Sequence, residues 1–112
     1  MKTTPRFWNL SKIMLPQELT NLLGLARRAR KIALGTEAVQ EALARRQAAL
    51  VIVATDFSAA TQKHWAQKFA PAPQICLGTK REWGEFWHRK EVGVMAVTDR
   101  NLAQGILKKQ LV

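Results

Sequence analysis

Two runs, Ala49-Leu50-Val51-Ile52-Val53-Ala54 and Val92-Gly93-Val94-Met95-Ala96-Val97, are apolar from end to end with no alternation of polar and apolar positions. A strand with one face in water alternates, because successive side chains point to opposite sides of the sheet. A continuous run of β-branched residues instead reads as a strand covered on both faces, typical of parallel sheets. Two shorter apolar stretches, Ile32-Ala33-Leu34 and Gln74 to Leu77, complete a set of about four strands.

The intervening segments carry helical periodicity. Pro16 suits a first helical turn, and Leu19, Leu22, Leu23, Ala26 and Ala29 follow at helical spacing, with Asn21, Arg27, Arg28 and Lys31 on the other side. Gly35 breaks the pattern, and a second helix is expected from about Thr36 to Arg46. Its Val39, Ala42 and Leu43 face inward, and Glu37, Glu41 and Arg45 form an outer row. Asp56 or Ser58 can cap a third helix that contains Ala60, Trp65, Ala66 and Phe69 and stops before Pro71. Thr79 with Glu82 is a capping-box pattern for a short helix through Trp87, and Thr98 or Asp99 caps a last one with Leu102, Ile106, Leu107 and Leu111 inward. Strands alternating with helices predict an α/β sandwich on a mixed, largely parallel sheet. Residues 16–112 are expected to form one domain, preceded by a basic extension, residues 1–15, that carries Phe7, Trp8, Ile13 and Leu15.

Eighteen Lys and Arg against eight Asp and Glu give a formal charge of +10 on 112 residues. That is the electrostatic footprint of a nucleic-acid binder. Membrane surfaces also attract basic chains, but the charge is dispersed from Lys2 to Lys109, with no lipidation signal and no stretch of transmembrane length. The first residues contain no continuous apolar stretch and do not read as a secretory signal. The single cysteine, Cys76, sits between Ile75 and Leu77 and is expected to be a buried thiol, which suits a reducing cytoplasm.

One junction concentrates the anion-binding features. Gly35-Thr36-Glu37 opens a helix directly behind Arg27-Arg28-Ala29-Arg30-Lys31. A helix N-terminus offers unpaired backbone N–H groups and the positive end of the dipole, and four cations upstream raise the potential further. A second candidate is the segment from Lys80 to Val92, where Lys80, Arg81, Arg89 and Lys90 interleave with Trp83, Phe86 and Trp87. Such a mixture can hold phosphates while stacking on bases. Here the aromatics are expected in the core, with Arg89 and Lys90 toward nucleic acid.

Catalytic signals are weak. His64 and His88 are not at metal-ligand spacing, Cys76 lacks a nearby activating base, and the eight acids form no cluster. Gly78-Thr79-Lys80 is not a phosphate-binding loop, and no Gly-x-Gly-x-x-Gly occurs. Asp56 after the first buried run reads as a helix cap. No enzyme activity, cofactor or metal is expected.

The order of several motifs resembles a known family. Leu22-Leu23-Gly24-Leu25-Ala26-Arg27-Arg28-Ala29, Gly35-Thr36-Glu37-Ala38-Val39, Leu50 to Asp56, Trp83-Gly84-Glu85 and Met95-Ala96-Val97-Thr98-Asp99 look like the small bacterial YlxQ-type proteins. These belong to the L-seven-Ae superfamily of ribosomal proteins, many of which bind kink-turn RNA. The resemblance spans about Leu19 to Leu111. It implies a three-layer α/β/α sandwich that binds structured RNA, in a ribosomal or translation-associated particle, through the second helix start and a loop before the last strand. On this chain the helix maps to Gly35, Thr36, Glu37, Ala38, Glu41 and Arg45, and the loop to about His88–Val92. Gly35 and Thr36 would give amide contacts to phosphate, while Arg27, Arg30, Lys31 and Arg45 would position the RNA. Arg89, Lys90 and Val92 would pack against a splayed loop or bulge. Kink-turn binders usually present Gly-x-Asn-Glu with a lysine one turn later, and this chain has Glu37, Ala38 and Glu41 there. The alternatives are a protein-interaction module of a ribonucleoprotein particle, or a substrate-recognition domain related to RNA-modifying enzymes.

Overall fold

The computed structural model describes residues 17–70 and 72–111. The basic extension, Pro16 and Pro71 lie outside the described residues, as does the side chain of Leu111. In chain order the elements are α1 (Gln17–Arg28), β1 (Ile32–Leu34), α2 (Thr36–Ala44), β2 (Leu50–Val53), α3 (Ala59–Lys68), β3 (Gln74–Cys76), α4 (Lys80–Trp87), β4 (Val94–Val97) and α5 (Arg100–Leu111).

The four strands form one sheet in the order β1-β4-β2-β3. The sheet is mixed, as expected, but it is not largely parallel. Only β2 and β3 pair parallel, while β4 lies antiparallel between β1 and β2. The apolar runs misled on this point for a definite reason. They report cover on both faces, which a central antiparallel strand between two helical layers has just as fully. All four residues of β2 and of β4 are buried.

Alternation along these strands divides the core in two. Leu50, Ile52, Met95 and Val97 face α1, α4 and α5 through Leu19, Leu23, Trp83, Trp87, Ala103 and Ile106. Val51, Val53, Val94 and Ala96 face α2 and α3 through Val39 and Phe69. The result is a three-layer α/β/α sandwich. No polar or charged residue is buried among the described residues.

Local chemistry sets the helix ends. Ser58 rather than Asp56 caps α3, its hydroxyl accepting from the Thr61 N–H at 3.1 Å. The Asp56 carboxylate accepts instead from the Lys80 N–H at the start of α4, at 3.0 Å. The capping box of Thr79 and Glu82 is present on α4, and Asp99 caps α5 through the Leu102 N–H. Cys76 is a free, exposed thiol rather than a buried one, because β3 forms an edge of the sheet and Ile75 takes its inward position.

Candidate nucleic-acid interface

The register places the C-terminal ends of β1, β2 and β3 beside the N-terminal end of β4: Leu34 faces Met95, and Val53 lies between Val94 and Cys76. Open α/β sheets commonly bind ligands at the carboxyl ends of their strands. Here that end carries Gly35-Thr36-Glu37 and the loop that closes the segment from Lys80 to Val92. A hydrogen bond from the Gly35 N–H to the Val94 carbonyl, at 2.9 Å, ties the start of α2 to the strand that follows the loop 88–92.

The start of α2 differs from the other helix starts whose caps are described. Gly35 is the N-cap, and no side chain accepts from the first-turn amides. By contrast α3, α4 and α5 carry Ser58, Thr79 and Asp99 caps. The amides of Thr36, Glu37 and Ala38 therefore keep the donor capacity that a helix start leaves open. Gly35 has φ 91° and ψ 162°, and an added Cβ would meet nothing within 4 Å. The surface is thus open where the backbone donors emerge, a geometry suited to an oxyanion.

The loop is held by α4. His88 adopts φ 60° as the helix ends, and the Arg89 N–H donates to the Gly84 carbonyl at 2.7 Å. Gly84 lets the chain fold back this tightly, because a Cβ there would run into the Lys90 carbonyl oxygen and lie 2.9 Å from that of Arg89. Arg89 and Lys90 are left exposed. Val92 is turned inward and buried, so the expected packing of its side chain on RNA is corrected: it anchors the loop to the core. Trp83 and Trp87 are buried as expected, with the Trp83 indole N–H donating to the Leu77 carbonyl at 2.6 Å. Arg27 lies over the Trp87 ring, 5.6 Å from its centroid, which holds the guanidinium in place by a cation–π contact.

An open groove of about 450 Å³ runs along the free edge of β1, with Arg27, Arg30, Arg45 and Arg89 around Ala38 and Glu41. Glu41 reaches Arg45 at 3.8 Å across an exposed face, a pair worth at most about 0.5 kcal/mol that leaves the guanidinium available. Glu37 is exposed in the first turn of α2. Lys31 does not line this groove, although Arg30 beside it does, so Lys31 is set apart from the start of α2. The sequence suggested Gly84 only as part of a motif, and its positioning role was visible only once the loop had been seen to fold onto it.

Among the described residues no group of three or more His, Cys, Asp or Glu could hold a metal ion, and no helix is long and apolar enough to cross a membrane.

Comparison with known proteins agrees with this architecture. A protein of unknown function from Bacillus halodurans C has a similar solved structure, with a TM-score of 0.71 and 30% identity, covering 82% of this chain and 94% of its own. The Giardia lamblia 15.5kD RNA binding protein has a TM-score of 0.65 and 24% identity, covering 88% of this chain and 90% of its own, and shares the fold. No curated protein matches. The profile of the Ribosomal protein L7Ae/L30e/S12e/Gadd45 family matches residues 17–106. The chain belongs to the ribosomal protein L7Ae/L30e/S12e/Gadd45 family.

Proposed function

We propose that the protein is a non-catalytic, cytoplasmic binder of structured RNA, of the YlxQ type, acting within the ribosome or another ribonucleoprotein particle. The observation that carries this reading is the uncapped start of α2, held by the Gly35–Val94 hydrogen bond at the end of the sheet that also carries Arg89 and Lys90. Backbone amides there meet a phosphate, and Arg27, Arg30, Arg45, Arg89 and Lys90 supply the surrounding positive field. The family and the formal charge of +10 support the same partner.

The target is a bulged RNA without a marked preference for a consensus kink-turn. Glu37 and Glu41 face solvent where kink-turn readout needs an amide and a cation, and Ala38 offers no hydrogen-bonding group beyond its backbone.

Thr36→Glu tests the site. Thr36 is the first residue of α2, where an acid interacts favourably with the helix dipole by about 0.3–1 kcal/mol. The fold should therefore survive, while the added carboxylate repels phosphate at the open amides. Affinity for a bulged RNA hairpin should fall about tenfold or more, equivalent to roughly 1.4 kcal/mol. Full affinity in a variant with an intact thermal transition would reject this site.

A further inference from the structure

The opposite end of the sheet carries a second basic concavity. It holds about 1120 Å³ and lies where β1, β2 and β3 begin and β4 ends. Arg30, Lys31, Arg46 and Arg100 line it above a floor that includes Ala48 and Ala49, and neither Asp nor Glu contributes to the lining. The neighbouring acid, Asp99, is engaged with the Leu102 N–H at 2.9 Å.

The backbone gives an independent reason to single out two of these arginines. Each of α1 and α2 ends with paired hydrogen bonds: Arg30 N–H to Arg27 and Lys31 N–H to Ala26, then Arg46 N–H to Leu43 and Gln47 N–H to Ala42. This is the Schellman arrangement, and its left-handed position normally falls to glycine. Here Arg30 and Arg46 occupy it, at φ 59° and φ 57°. Left-handed backbone is unfavourable for a residue with a Cβ, and an exposed cation near a helix C-terminus recovers only part of that cost. Helix stability alone thus gives little preference for arginine over glycine. What arginine adds is a guanidinium on the rim, and both rims belong to the same concavity.

We infer that this concavity is a second RNA-binding surface, which takes the phosphodiester backbone of an RNA duplex separate from the segment bound at the start of α2. The inference rests on the reading of the protein as an RNA binder, but not on the α2 site. The space far exceeds a single phosphate, and three of the four cations are arginines, whose planar fork matches phosphate oxygens in pairs. One molecule would then hold two RNA segments in grooves that adjoin at Arg30, Gln47 and Thr98.

The test uses the full chain, a short blunt RNA duplex, a bulged hairpin with a short stem, and a polyglutamate peptide. Arg46→Gly with Arg100→Gln removes two cations from the concavity. Its thermal transition should not fall below that of the unaltered protein, since glycine suits the left-handed position and a cation at the start of α5 opposes the dipole. Affinity for the duplex should drop about tenfold, and its dependence on log salt should flatten by about two. Affinity for the hairpin should stay unchanged, whereas Thr36→Glu should weaken the hairpin and spare the duplex. Unchanged duplex affinity in the double variant overturns the inference, as does an equal loss for both probes, which would make the surface one continuous site. Groove-dependent binding of polyglutamate without duplex binding also overturns it, in favour of an acidic protein partner. A hairpin indifferent to Thr36→Glu rejects the α2 site alone and leaves the duplex result to decide the second surface.

Discussion

At Gly35 the backbone lies at φ 91° and ψ 162°, although an added Cβ would meet no atom within 4 Å. Space and conformation therefore give different answers. An aspartate at an N-cap position ordinarily caps a helix, but the observed dihedrals make Gly35→Asp strained. The substitution should lower unfolding free energy by about 1–3 kcal/mol, measurable in denaturant titrations. Thr36→Glu avoids this complication, which is why it is the sharper probe of the site. Gly84 presents the reverse case, with ordinary helical backbone but no room. Gly84→Ala forces Arg89 and Lys90 away from α4, and the overpacking should destabilise the domain by about 1–3 kcal/mol. Because the displaced residues belong to the proposed RNA surface, affinity for a bulged hairpin should fall as well. A variant with normal affinity and normal stability would mean that the loop does not depend on this close approach.

The elements themselves were largely legible, because each rests on local chemistry. The Thr79–Glu82 capping box, the glycine break before α2 and the apolar runs of β2 and β4 all fall where the sequence places them. Strand order was not legible, since nothing in Val94–Val97 specifies that it inserts between β1 and β2 in the antiparallel sense. The same gap explains the cations. Arg27 to Lys31 are adjacent to Gly35 in sequence, yet β1 intervenes and carries the chain about 10 Å from one end of the sheet to the other. Lys31 is thereby assigned to the far concavity, Arg30 lines both grooves, and Arg27 joins Arg89. Cys76 was misread for a related reason, because an apolar tripeptide does not reveal that its strand is an edge. On α2, the outer row predicts how specificity could be altered. Glu37→Asn, Ala38→Glu and Glu41→Lys together should create a preference for a kink-turn over a control lacking its G·A pairs. Each correct contact is worth about 1–3 kcal/mol, and the lost Glu41–Arg45 pair removes at most about 0.5 kcal/mol of stability. Strong discrimination by the unaltered protein in the same competition would place the readout on other residues.

For the molecule as a whole, charge and architecture act together. The formal charge of +10 supplies attraction to any polyanion, and the sandwich decides where that attraction becomes a site. With Arg27, Arg30, Arg45, Arg89 and Lys90 near the bound RNA, log affinity should fall with log salt at a slope of about −4. A flat titration would favour a partner protein held by apolar contacts. In the proposed complex RNA meets the open amides of α2 and the loop after α4. This contact is tested most directly by titrating a bulged RNA hairpin into the ¹⁵N-labelled protein and following backbone amide resonances. Thr36, Glu37, Ala38, Arg89 and Lys90 are expected to shift most. Saturable binding that leaves all five in place would contradict it.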